Sequence, residues 1–448
     1  MQRLYFGTDG VRGPFGGPLV NEAFFSRLGE AAARWLASRG VQAGKVVIGR
    51  DTRGSGAALA RALGAGLSRG GAHAVSLGIV PTPAVSRAAR LGGAALGAAI
   101  TASHNPASDN GVKFFGPDGG KLTDAEEAQI EALIGPEPGP KAAADDGELP
   151  GESVLETYIA AVTRMLPPDA LRDWRIALDT ANGATCATSP AVFRALGADL
   201  ACIGDRPDGL NINEGVGSEH PGALAKLVLS HVARFGAAQD GDGDRCVLCD
   251  ELGHVLDGDE VLAVLATHAL SKGTLARKTL VVTVQSNMGV DRAIEAAGGR
   301  VVRSAVGDRY VAEAMRAEGA TLGGESSGHI VSFDVSPTGD GLVAALKVAA
   351  VMAETGRPLS ELRRVLVRFP QLSAALKVRE KKPVASLPAL TEAIGGLERE
   401  LGKSGRVLVR YSGTEPKLRL LVEGPDEATV RSGIGRLEAA ARSELEVL

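Results

Sequence analysis

Three carboxylates alternate with glycines in the run Asp240-Gly-Asp-Gly-Asp-Arg245. The glycines let the chain curl so that Asp240, Asp242 and Asp244 face one point. Hard oxygen ligands at this density suit Mg2+. Without a cation they would repel one another strongly. A solvated acidic turn is the plain alternative, but it does not account for the apolar strand pattern before the run. An EF-hand loop is the rival metal reading, since Glu251 sits at the right offset. It fails because Arg245 stands where that loop needs glycine and a strand pattern follows.

Three more polar loops follow apolar stretches. In Thr101-Ala-Ser-His-Asn-Pro106, Ser103 sits beside His104, and Pro106 forces Asn105 away from helix. A serine held in such a turn can act as a nucleophile towards phosphoryl groups; it can equally be an ordinary turn with a capping serine. In Gly323-Gly-Glu-Ser-Ser-Gly-His329, Glu325, Ser326 and His329 offer donors and acceptors suited to sugar hydroxyls, although a helix-capping turn has the same composition. Arg410-Tyr-Ser-Gly-Thr-Glu-Pro-Lys-Leu-Arg419 surrounds a turn with two arginines, two hydroxyls and free N–H groups, the composition of a phosphate cradle. Lys417 reads as a solvated strand charge and stays outside that site. Arg12, in the opening Phe6-Gly-Thr-Asp-Gly-Val-Arg-Gly13, could reach a phosphoryl group, and Lys113, just beyond the serine loop, could shuttle a proton. Each of these two also reads as a surface charge when taken alone.

The elements that must position these loops alternate. Strand patterns at 45–50, 73–80 and 94–101 are separated by helix patterns at 55–69 and 82–91. A second round places strands at 175–179 and 199–203 and helices at 189–196 and 221–235. A third places helices at 260–270, 290–297, 310–317 and 340–353 around strands at 280–284 and 301–306. Such alternation argues for parallel α/β architecture, with ligand loops at the ends of strands. The tail differs: helix over most of 384–401, strands at 406–411 and 417–423 around a turn, and a final helix. Residues 135–151 are rich in Pro, Gly and acid and read as a linker. The divisions are 1–150, 151–252, 253–367 and 368–448: three similar α/β units and a smaller α+β unit.

The bulk numbers exclude several classes. At 448 residues the chain is too long for one ordinary domain. A net charge of −4 gives no nucleic-acid footprint and no affinity for an anionic membrane surface. The N-terminus lacks the pattern of a signal peptide, and the most apolar helix-like segment, 341–353, is too short to span a bilayer. Four scattered cysteines make no disulfide framework, so a reducing cytoplasm is the simplest location. Cys246 and Cys249 form a CxxC, but on a strand they point to opposite faces, and no second pair completes a zinc site.

The loops TASHNP, DGDGDR, GESSGH and RYSGTEP, in this order, resemble those of the α-D-phosphohexomutase superfamily across essentially the whole chain. The opening FGTDGVRG is similar to that of the phosphoglucosamine mutases, as are Asn211-Ile-Asn213, Gly217-Ser-Glu-His220 and Val306-Gly-Asp-Arg-Tyr310. The resemblance implies four domains around a central cleft, three similar mixed-sheet α/β domains and a smaller α+β C-terminal one. It implies a phosphorylated Ser103, with Mg2+ held by Asp240, Asp242, Asp244 and the Ser103 phosphate. His104, Lys113, Arg12 and Arg245 fall among the catalytic residues. Glu325, Ser327 and His329 match the sugar loop, and Arg410, Ser412, Gly413, Thr414 and Arg419 the phosphate loop. The implied reaction interconverts glucosamine 6-phosphate and glucosamine 1-phosphate through a 1,6-bisphosphate, which also serves as activator, and it supplies UDP-N-acetylglucosamine. A homodimer through the first domain is implied as well. Ser326 stands where the family usually has Gln, Gln239 where an aromatic is common, and Val216 where Cys is frequent. A phosphoglucomutase or phosphomannomutase with the same mechanism is the nearest rival. A non-catalytic sugar-phosphate sensor would have lost Ser103 or an aspartate. A simple Mg2+-dependent phosphatase would release phosphate.

Overall fold

The computed structural model describes residues 4–135, 149–412 and 416–448. Three of its four sheets follow one plan. In the first, Lys45–Arg50 lies between His73–Ile79 and Leu96–Ile100, all parallel. Asp109–Phe115 then runs antiparallel to Leu96–Ile100, and Val11–Pro14 antiparallel to that strand. In the second, Arg175–Asp179 lies between Asp199–Ile203 and Phe235–Gln239, and Cys246–Asp250 reverses alongside Phe235–Gln239. In the third, Thr279–Thr283 lies between Arg300–Ser304 and Leu322–Gly324, and Ile330–Ser332 reverses beside the latter. The central strands are buried along their length because helices cover both faces, so they read as continuous apolar runs such as Thr-Leu-Val-Val-Thr.

This plan decides where the chemistry sits. In each sheet the chain leaves the last parallel strand and turns back through one loop: 101–108, 240–245 and 325–329. The serine, the three aspartates and the Glu325–His329 segment therefore occupy equivalent places in three repeats of one topology, at the C-terminal ends of parallel strands.

The fourth sheet is antiparallel, with Lys417–Glu423 between Gln371–Lys377 and Arg406–Tyr411. Helices Pro388–Leu401 and Glu427–Glu444 close a separate core around Leu390, Leu397, Leu420, Val422 and Leu437. A larger core joins residues of the other three units, among them Val85, Phe115, Phe193, Leu280 and Leu346. The fourth unit meets the third through polar bonds. Met288 N–H donates to Glu423 Oε1 at 3.0 Å, and Arg406 Nη2 donates to the Ser286 carbonyl at 2.6 Å.

The first three sheets are mixed, as the resemblance implies, each adding an antiparallel strand to the parallel alternation read from the pattern. Several other expectations change. The helix expected to 235 stops at His231, because Val232 turns left-handed (φ +51°), and Phe235 opens a buried strand. Strands Val11–Pro14, Asp109–Phe115 and Gln371–Lys377 add to the expected set; the last alternates, with Leu372, Ala374 and Leu376 on its core face. Most of the linker lies outside the described residues. The CxxC lies on strand Cys246–Asp250, with Cys246 and Cys249 in different clusters, and burial pushes the Cys249 thiol up to about 12. No helix among the described residues is long and apolar enough to cross a membrane.

Candidate active site

Ser103 follows the wholly buried strand Leu96–Ile100 and takes φ +53°, a strained angle for a non-glycine residue. Its backbone N–H donates to Thr101 Oγ1 at 2.8 Å. Behind it lies Arg53, fully buried and paired with Asp51 at 2.9 Å. Arg53 donates to the carbonyls of Ser103 (2.9 Å), Asn105 (2.7 Å) and Asp109 (2.8 Å), and to that of Pro106. Asn213 Nδ2 reaches in from the second unit to the same two carbonyls, Ser103 at 2.9 Å and Asn105 at 3.0 Å. Sequence reasoning missed Asp51, Arg53 and Thr101 as holders of this loop. The one signal was three charges, Arg50, Asp51 and Arg53, at the end of an apolar strand.

The Ser103 hydroxyl donates to Asp240 Oδ2 at 2.6 Å and lies 3.3 Å from His104 Nδ1. Burial, then Arg245 and Arg12, push His104 down to about 3, so it is neutral at physiological pH. Asp240, Asp242 and Asp244 are buried, with carboxylate oxygens within 4.8 Å of one another. Gly243 turns their loop at φ +76°, and at Gly241 a Cβ would come within 2.8 Å of the Ser103 carbonyl. Burial, then Asp242 and Asp244, raise Asp240 to about 7.

Lys113, on strand Asp109–Phe115, lies buried 2.8 Å from Asp242 and 2.7 Å from Asp244. Burial works against its charge, but Asp242, Asp244 and Asp9 outweigh it and raise its pKa well above normal. Asp244 also pairs with His329 Nε2 at 3.0 Å, while His329 Nδ1 lies 3.0 Å from Glu325 Oε2. Burial opposes that imidazolium too, yet Asp244 holds His329 up at about 10. Arg245 lies 3.2 Å from Glu219 and 3.4 Å from His329. Asp242 Oδ1 is buried without a hydrogen-bond partner. Three clustered carboxylates with one orphaned oxygen fit a hard divalent cation.

On the far side, Arg12, Arg410, Ser412 and Arg419 line a cleft of about 1240 Å3. Arg410 and Arg419 face each other across neighbouring strands, and burial, then Arg419, lower the Arg410 guanidinium. Arg410 Nε is buried without a partner. Two facing cations with an unmet donor suit an anion. Ser327 is exposed, apart from the buried Glu325–His329 pair. Gly413 and Thr414 lie outside the described residues.

Family models for phosphoglucomutase/phosphomannomutase match in four pieces: α/β/α domain I at 3–138, domain II at 156–253, domain III at 257–369 and the C-terminal domain at 374–438. The phosphoglucosamine mutase of Thioalkalivibrio sulfidiphilus is 46% identical over 99% of this chain and 99% of its own. That of Anaeromyxobacter sp. is 43% identical over 99% of this chain and 96% of its own. The chain belongs to the phosphoglucosamine mutases. Solved phosphohexomutases share the fold. A phosphoglucomutase/phosphomannomutase family protein from Burkholderia thailandensis superposes with TM-score 0.81 at 22% identity, covering 99% of this chain and 98% of that one. The N-acetylphosphoglucosamine mutase of Aspergillus fumigatus, solved with GlcNAc-6P and magnesium, gives 0.66 at 18%, covering 99% of this chain and 96% of that one. Membership of the phosphoglucosamine mutases makes this chain an isomerase that transfers phosphate within a sugar.

Proposed function

We propose that this chain interconverts glucosamine 6-phosphate and glucosamine 1-phosphate, with Ser103 as carrier of the phosphoryl group. The 2.6 Å bond between Ser103 Oγ and Asp240 supports this most directly, because it sets a serine of strained backbone against the carboxylate cluster. From the phosphoserine, the Oγ–P bond breaks as a bond forms from phosphorus to O1 of the sugar. The O1 hydroxyl loses its proton and Ser103 Oγ regains one. The bound sugar is then a 1,6-bisphosphate. After it turns over, the O6–P bond breaks and Ser103 Oγ takes that phosphoryl group, restoring the carrier and leaving the 1-phosphate.

Neutral His104 is placed to exchange the Oγ proton. Arg12 and Arg245 supply positive charge around the transferring group. Lys113, read from the sequence as a proton shuttle, is held charged against its burial by Asp242, Asp244 and Asp9 and adds to that charge instead. Glu325, Ser327 and His329 hold the sugar hydroxyls. Arg410, Ser412, Gly413, Thr414 and Arg419 hold the phosphate that is not reacting. Asp240, Asp242 and Asp244, with the Ser103 phosphate, would hold one Mg2+ per chain, which neutralises charge on the phosphoryl oxygens when bound. The bisphosphate serves as activator. The domain divisions stand at 1–150, 151–252, 253–367 and 368–448, the chain acts in the cytoplasm, and it pairs as a homodimer through the first domain.

A coupled assay with Mg2+ and a trace of hexose bisphosphate tests the reading by comparing glucosamine, glucose and mannose 6-phosphates. Preference for the amino sugar is the expected result. Equal or better turnover of glucose or mannose phosphate would move the chain to the phosphoglucomutase/phosphomannomutase branch, and net phosphate release would replace the mutase with a phosphatase.

A further inference from the structure

The segment 307–310 reaches from the third unit into the first through consecutive residues. Arg309 is buried against Glu127 (2.6 Å) and meets Asp124 (2.6 Å), while Tyr310 OH donates to Asp124 at 2.9 Å. Its neighbour Asp308 turns inward and pairs with Lys121 at 2.7 Å. Lys121 is almost wholly buried and also pairs with Asp9 Oδ1. The other oxygen of Asp9, Oδ2, takes Arg12 and lies 3.5 Å from Lys113. On the far end of the segment, Gly307 N donates to Glu325 Oε1 at 2.9 Å.

Asp9 thus divides its carboxylate between two tasks. One oxygen is held by Lys121, which fixes the plane of the group, and the other faces the two cations of the cleft. Burying Lys121 is costly, and two carboxylates from different units offset that cost. A residue that served only the surface or only the core of the first unit would not reach for a carboxylate of the third.

We propose that Lys121 is a positioning residue for the phosphoryl-transfer site: through Asp9 it aims Arg12 and Lys113, and through Asp308 it makes that aim depend on the docking of the third unit. This rests on the mutase reading for its effect on rate, but not for its effect on the structure of the opening loop.

The test compares wild type, Lys121→Met, Lys121→Arg and the double variant Lys121→Met/Asp308→Asn. The double variant removes one carboxylate together with the cation, so that folding survives if the single variant fails. Mutase assays should show kcat down by about tenfold to a hundredfold in both Met variants, with KM for the 6-phosphate changed by less than about threefold, since misaimed groups cost rate more than binding. Lys121→Arg should recover most of kcat. Hydrogen exchange at residues 7–13 should quicken in the Met variants, while exchange at 124–131 stays as in wild type. An unchanged kcat in a folded Met variant, or unchanged exchange at 7–13, would overturn the proposal. If the wild type itself turns over no sugar phosphate, the mutase reading falls, and the exchange experiment still decides whether Lys121 orders the loop.

Discussion

The hydroxyl of Ser103 and the carboxylate of Asp240 meet at 2.6 Å although they are 137 residues apart and belong to different sheets. Neither sheet could position the pair alone. Asn213 supports the same junction from the second unit by gripping the Ser103 carbonyl at 2.9 Å.

Replacing Ser103 with Ala should remove the carrier and leave the scaffold intact. Activity should fall by about a thousandfold or more, as when other nucleophiles are deleted. The far-ultraviolet spectrum should match wild type, and incubation with hexose bisphosphate should leave the protein's intact mass unchanged. A variant that still turns over at the wild-type rate would rule out the phosphoserine route.

Asp242 lies between Lys113 (2.8 Å) and Thr82, with one oxygen orphaned. Asp242→Asn should raise the Mg2+ concentration for half-maximal activity by at least about tenfold, since even indirect partners of a metal cost that much. A titration with Mg2+ in a chelator buffer measures it; full activity in chelator alone would refute the metal assignment.

Arg410 and Arg419 repel each other in the absence of an anion. Arg410→Met should therefore weaken substrate binding while leaving the fourth unit as stable as before, or slightly more so. KM for the sugar phosphate should rise about tenfold or more, through loss of a charge-assisted bond. An unchanged KM would take Arg410 out of the phosphate site.

Asp340 caps helix Gly341–Thr355 and accepts from Tyr158. Burial raises its pKa from 3.8 to about 6. The folded state therefore binds a proton where the unfolded chain does not. Its ionisation costs stability in full at pH 7, and the cost fades as pH falls from about 6 to about 4. Asp340→Asn keeps the cap and removes this slope. Urea midpoints at pH 7 and pH 5 should differ less in the variant than in wild type, by up to about 2 kcal/mol in folding free energy. Equal pH dependence would show that Asp340 is not the group responsible.

Much of this was legible in the chain. The four polar loops announced themselves by composition, and the central strands by their apolar runs. What stayed hidden has physical causes. Strand Asp109–Phe115 carries a buried Lys113 and Asn110, so neither alternation nor a full apolar run marks it. Arg53 reads as a surface charge in sequence, and only the fold shows it bonded to four carbonyls. Lys121 and Asp308 are 187 residues apart, and each looks solvated until the first and third units meet. Local pattern finds the loops; long-range charge pairing, which aims their side chains, leaves no local trace.

One consequence of the threefold plan concerns the order in which the molecule comes into being. Chains are made and fold N-terminal unit first. The strands that flank the serine loop are both made by Phe115, long before Asn213, Asp240 and His329 leave the ribosome. On the proposed mechanism, a half-made chain would carry the acceptor serine without the carboxylates and cations that let it take or give a phosphoryl group. On that reading, competence waits for the fourth unit, which brings Arg410 and Arg419.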